Sequence, residues 1–165
     1  PMYRRQRQMC IRDRPFTEAN FKEKWDLVFL GFASCPDMCP MTMQKMAKTA
    51  QILSQKEGLI EQINFVMISI DPDRDSPERV NQYAKAFNKE FKGVSGNIKD
   101  IYQLSLNLTL PFTPVIDSKN TDYDMDHSMN LALIDPSGKY HGFFKTPYTP
   151  EIMAEALESV IKFSN

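Results

Sequence analysis

The apolar run Leu27-Val28-Phe29-Leu30-Gly31-Phe32 passes within three residues into Cys35-Pro36-Asp37-Met38-Cys39-Pro40, and this junction constrains the chain more than any other segment. A run without polar alternation reads as a strand buried on both faces, and the Pro- and Asp-containing turn after it opens a helix. Two thiols then stand at the first helical turn, where unpaired backbone N–H groups favour a thiolate. Cysteines at i and i+4 on a helix share one face, with Cα atoms roughly 6 Å apart, near the upper end of what a disulfide bridges. A single metal ion could also take both sulfurs. The spacing is one residue longer than the C-x-x-C of thioredoxin-type oxidoreductases. Two thiolates suit a soft ion, with Cu(I) and Zn(II) leading, and such a site calls for at least one more ligand.

The chain has two histidines, His127 and His141, so the search for that ligand is short. His127 closes the polar stretch Asp122-Tyr123-Asp124-Met125-Asp126, just ahead of Met129-Asn130-Leu131-Ala132-Leu133-Ile134. That run reads as a strand ending in the turn Asp135-Pro136-Ser137-Gly138. A ligand at a strand entry is held by the sheet yet open to the surface. Of the flanking Asp124 and Asp126, one is placed to fix the imidazole tautomer from behind. His141, two residues into the return strand 139–144, has no such neighbours and reads as an ordinary strand residue. Taken alone, His127 would be a loop histidine bonded to a carboxylate; the two cysteines make it a ligand candidate.

Other conspicuous residues have plainer explanations. Of ten methionines, Met38, Met41 and Met43 cluster at the cysteines. Met43 shares helical spacing with Met46 and belongs to a core, while Met38 reads as a rim residue shielding the site. Asp71, Asp73 and Asp75 resemble a hard-cation loop but lack the turn glycine and the distal Glu, so they are assigned to caps and turns.

Helical and strand periods alternate along the body, which argues for an α/β domain. A helix is expected over 39–55, a buried central strand over 63–70, and a second helix after Ser76-Pro77 with Val80, Tyr83, Ala84 and Phe87 on one face. A third spans 97–108. Thr149-Pro150 repeats the cap-and-proline signature before a last helix facing the core with Ile152, Ala156, Leu157, Val160 and Ile161.

At 165 residues, 42% hydrophobic and 25% charged, the chain can bury a real core without a disulfide scaffold. Residues 1–14 carry five arginines and one aspartate with almost no apolar periodicity, and Met9-Cys10-Ile11-Arg12-Asp13-Arg14 resembles translated sequencing adaptor. They are expected to be a non-native or disordered extension, with the domain running over 15–165. Without them the balance is 15 basic against 20 acidic residues, which argues against nucleic acid or an anionic membrane surface as partners. No run approaches the roughly 18 apolar residues of a membrane span.

Three blocks in order, from Gly31 through Cys35-Pro36-Asp37-Met38-Cys39-Pro40, then Ser69-Ile70-Asp71-Pro72-Asp73-Arg74-Asp75-Ser76-Pro77, then Asp124-Met125-Asp126-His127-Ser128, resemble the Sco/SenC family of cytochrome oxidase copper chaperones. The resemblance implies a thioredoxin-like sandwich, a central mixed sheet flanked by helices, with copper, Cu(I) and also Cu(II), held by Cys35, Cys39 and His127. It implies a role in assembling the dinuclear copper centre of cytochrome c oxidase, with a copper donor protein and the copper-receiving oxidase subunit as partners. It places the protein at the periplasmic face of a bacterial inner membrane or its mitochondrial counterpart. Family members usually carry a membrane anchor and an extended segment ahead of the equivalent of Phe16. That segment is read as missing here and the chain as a fragment. A second function class stays open, a thiol:disulfide oxidoreductase in which Cys35 attacks and Cys39 resolves. A peroxiredoxin-like peroxidase fits less well, because Ser34-Cys35 lacks that family's preceding proline and threonine pattern.

Overall fold

The computed structural model describes residues 9–11, 14–16, 18–114 and 125–164. In chain order these form β1 (Met9–Ile11), β2 (Arg14–Phe16), β3 (Trp25–Gly31), α1 (Met38–Ser54), β4 (Ile63–Ser69), α2 (Pro77–Phe87), β5 (Lys92–Val94), α3 (Ile98–Asn107), β6 (Leu131–Ile134), β7 (Tyr140–Phe144) and α4 (Pro150–Phe163). A five-stranded sheet in the order β5-β4-β3-β6-β7 is flanked by the four helices. β3, β4 and β5 run parallel, while β6 and β7 are antiparallel to their neighbours. This is the mixed sheet that the family resemblance implies.

β3 lies at the centre, paired with β4 from Trp25↔Ile63 to Gly31↔Ser69 and with β6 on its other side. All seven of its residues are buried, which is why its sequence shows a continuous apolar run. The cap-and-proline signatures behave as their chemistry demands. Ser76 Oγ accepts the Arg79 N–H, and Thr149 Oγ1 accepts the Ile152 N–H. The β6–β7 hairpin turns at Gly138, whose φ of 85° suits glycine.

Several expectations need correction. The core face of α4 is Met153, Ala154, Leu157 and Ile161, while Ile152 is exposed, because the helix phase follows its packing against α1. β5 was not foreseen. It is three residues long with glycine at its centre, and a Cβ on Gly93 would stand 2.1 Å from the Val80 carbonyl oxygen, so the close approach of α2 requires the residue that hides the strand.

Part of the stretch 1–14, read from the sequence as an extension, is described. Met9–Ile11 and Arg14–Phe16 pair as an antiparallel hairpin, Met9 opposite Phe16, and its first strand lies near β5 and α2. Such a hairpin rests on backbone hydrogen bonds that apolar periodicity does not reveal. Residues 1–8, 12 and 13 lie outside the described residues. Among the described residues, no helix is long and apolar enough to cross a membrane.

Candidate metal centre

The site begins where β3 ends. A Cβ on Gly31 would meet the Phe29 ring at 2.6 Å and the Cys39 sulfur at 3.2 Å, so the glycine is what lets that sulfur lie against the strand. The chain then turns, with the Cys35 N–H donating to the Phe32 carbonyl at 3.2 Å, and α1 starts at Met38. Cys35 therefore precedes the helix instead of standing on it. The residue before a proline is biased away from helical geometry, and Pro36 follows Cys35. Asp37, at the cap position, makes no side-chain cap bond. The Cys35 sulfur accepts the Cys39 N–H at 3.4 Å instead, taking one of the donors that a helix start leaves unpaired. The two thiols thus face each other across a helix start, and no disulfide joins them. Cys39 is wholly buried and Cys35 is 9% exposed.

His127 does not enter β6, which starts four residues later. It forms an isolated antiparallel bridge with Phe112, flanked by the Thr113 N–H donating to the Asp126 carbonyl and the Ser128 N–H donating to the Pro111 carbonyl. Its Nε2 lies 3.7 Å from the Cys39 sulfur, and its Nδ1 lies 3.2 Å from the Ser128 carbonyl oxygen. A carbonyl only accepts, so that contact places the proton on Nδ1 and turns the Nε2 lone pair toward the thiols. A backbone carbonyl thus holds the imidazole tautomer. The Asp126 side chain is exposed, and Asp124 lies outside the described residues. The rings of Phe29 and Phe32 pack against the imidazole at 6.1 and 5.7 Å between centroids.

One ligand atom each from Cys35, Cys39 and His127 lies within 4.8 Å of the other two. An open cleft of about 340 Å³, lined by Pro111, Phe112, Thr113, Asp126, His127 and Ser128, adjoins the imidazole. Met38 and Met41 stand half exposed at the start of α1, while Met43 and Met46 are fully buried, matching the core assignment of that pair. His141 stays apart in β7, edge-on to Trp25 with centroids 5.0 Å apart.

Three contributors were missed in the sequence. Asp75, fully buried, accepts from the Ala33 N–H at 2.8 Å and from the Ser69 hydroxyl at 2.7 Å. Arg79 reaches both the Asp75 carboxylate and the Ser34 hydroxyl. Tyr83, one turn further along α2, has an enclosed hydroxyl with no hydrogen-bond partner among the described residues. Burial pushes its ionisation well above the ordinary tyrosine range, helped by the negative charge of Cys39, Cys35 and Asp75 nearby. Asp71, by contrast, acts in a turn as expected, pairing with Arg74, whose guanidinium lies over the Phe32 ring.

The profile of the family described as SCO1/SenC matches residues 9–162. Protein sco1 of Schizosaccharomyces pombe is 34% identical over 145 residues, covering 87% of this chain and 54% of that protein. A SCO2-like protein of Rickettsia conorii is also 34% identical over 145 residues, covering 87% of this chain and 69% of that one. The crystal structure of yeast Sco1 with copper bound superposes with a TM-score of 0.80 at 28% identity, covering 89% of this chain and 81% of that one. The chain thus spans about half the length of the Schizosaccharomyces pombe relative. The matched stretch runs from the N-terminal hairpin through both cysteines, Asp75 and the histidine into the last helix, and the chain belongs to the SCO1/SenC family.

Proposed function

We propose that this chain binds copper through Cys35, Cys39 and His127 and acts as a metallochaperone, delivering copper to the dinuclear centre of cytochrome c oxidase during its assembly. The observation that carries this reading is the approach of two thiol sulfurs and an imidazole nitrogen to within 4.8 Å of one another. Two thiolates and a neutral imidazole suit Cu(I), and the same donors can take Cu(II). Three ligands leave one side of the ion open, so an acceptor's ligands can enter before the first ones leave. The copper-bound state of yeast Sco1 supports the choice of metal. In this role the partners are a copper donor protein and the copper-receiving oxidase subunit, met at the periplasmic face of a bacterial inner membrane or its mitochondrial counterpart.

Disulfide exchange by Cys35 and Cys39 ranks behind this reading, because it does not require the imidazole that stands 3.7 Å from the Cys39 sulfur. Titration of the reduced protein with Cu(I) against a chromophoric chelator tests the order. The expected result is one tightly held equivalent, weakened at least about tenfold in His127→Ala and lost in the cysteine variants. A His127→Ala variant that binds as tightly as wild type and still supports oxidase assembly would reverse the ranking.

A further inference from the structure

Cys35 lies in no regular element, so the place of its sulfur depends on the turn that carries it. Within that turn the backbone supplies the Cys35 N–H bond to the Phe32 carbonyl. The Ala33 N–H, two residues before the thiol, donates to Asp75 Oδ2, and the Ser34 hydroxyl, one residue before it, accepts from Arg79 Nη2 at 3.1 Å. Arg79 Nε stands 3.3 Å from Asp75 Oδ1, an ion pair set off the hydrogen-bonding direction. Carboxylate and guanidinium therefore hold consecutive residues of the turn and also hold each other.

Asp75 is itself fixed from three sides. Ser69, at the end of β4, donates its hydroxyl to the carboxylate. The Asp75 N–H donates to the Asp71 carbonyl, and the Ser95 hydroxyl donates to the Asp75 carbonyl. The position suggests a cap for α2, but Ser76 performs that capping. The Asp75 side chain is aimed at the cysteine turn, 42 residues earlier in the chain.

We infer that Asp75, braced by Arg79, is the positioning residue for Cys35, holding its sulfur at the start of α1 in line with Cys39 and His127. This rests on the copper reading for its consequence in metal binding. Its mechanical part, the link from Asp75 to the sulfur that accepts the Cys39 N–H, stands without any metal. A buried acceptor shared by a backbone N–H and a hydroxyl cannot be removed without leaving both donors unpaired, so the turn must shift to find other partners. Cys39 and His127 are carried by α1 and the Phe112 bridge and should stay in place.

The test compares Asp75→Ala, Asp75→Asn and Arg79→Gln with wild type in the full chain, reading the Cys39 amide by NMR shift and hydrogen exchange in the metal-free protein. Cu(I) dissociation into a chelator and the X-ray absorption edge of the Cu(I) form are read alongside. In Asp75→Ala the Cys39 amide should lose protection, copper should leave about tenfold faster, and the edge should move from three-coordinate toward two-coordinate. Asp75→Asn keeps an acceptor oxygen and should recover most of the wild-type amide behaviour. Arg79→Gln alters a side chain that is 54% exposed and should give a smaller shift in the same direction without loss of fold. A folded Asp75→Ala protein with the wild-type Cys39 amide overturns the inference. If Asp75→Ala does not fold, an unchanged Cys39 amide and copper off-rate in Arg79→Gln overturn it equally. Absence of Cu(I) binding in wild type would sink the copper reading, while the metal-free amide measurements would still decide this one.

Discussion

Gly31 and Cys39 are in contact across the end of the central strand: a Cβ on the glycine would stand 3.2 Å from the sulfur and 2.6 Å from the Phe29 ring. Gly31→Ala should push both groups back, at a cost of about 1–3 kcal/mol in an overpacked core. Because the Phe29 ring also packs against His127, the displacement reaches two of the three candidate ligands. The expected outcome is a folded, less stable protein with Cu(I) affinity lowered about tenfold, read by denaturant melts and chelator competition. Wild-type affinity would show that the pocket absorbs the methyl without moving the sulfur.

Asp26 is buried in β3, with Oδ1 accepting from Asn64 at 3.0 Å and Oδ2 without a partner among the described residues. Burial raises its pKa from 3.8 to about 6, opposed by the Asn64 hydrogen bond and by the charges of Lys92 and Lys24. The folded state therefore keeps a proton that the unfolded chain has released between those values. This stabilisation is complete below about pH 4 and is lost as pH rises through 6, about 3 kcal/mol for the full shift. Asp26→Asn should remove that slope and make the protein more stable than wild type at pH 7. Parallel urea melts from pH 4 to 8 measure it, and equal slopes in the two proteins would refute the assignment.

Tyr83 is the residue most easily improved. Its enclosed hydroxyl has no hydrogen-bond partner among the described residues, so Tyr83→Phe removes a stranded polar group while keeping the ring that packs edge-on to Phe87 at 5.2 Å. A gain of about 1 kcal/mol in the metal-free protein is expected. A loss of that size would mean that the hydroxyl serves a partner.

The legible parts of the fold are those written in local chemistry. Ser76-Pro77 and Thr149-Pro150 announce their helices because a cap is a contact over three residues, and residues 27–32 announce a buried strand because burial on both faces leaves no alternation, although the central place expected for 63–70 falls to β3. The candidate ligands were legible because Cys35, Cys39 and His127 are scarce residues in a recognisable order. What failed was either too short or too distant. β5 offers three residues around a glycine. The tie from Asp75 to Ala33 spans 42 residues, so Asp71, Asp73 and Asp75 looked alike until the fold separated them. Cys35 was misplaced onto the helix, since the cysteine spacing alone does not say which thiol lies inside the first turn.

Tyr148 supplies the last test, because it holds the segment that follows His127. Its hydroxyl donates to the Met129 carbonyl at 2.7 Å, two residues past the imidazole, while the Thr42 hydroxyl of α1 reaches the Met129 sulfur at 3.7 Å. Burial pushes the Tyr148 hydroxyl up to about 12, so it stays a donor through the physiological range. Tyr148→Phe keeps the ring, including its contact with the Lys45 ammonium, and deletes that donation together with the hydroxyl's hydrogen bond to Thr42. Stability should fall by about 1 kcal/mol for each hydrogen bond lost. Copper should leave a few-fold faster, because the His127 segment loses a tether while both cysteines keep theirs. A stability loss with an unchanged off-rate would place the anchoring of His127 in its bridge to Phe112 alone.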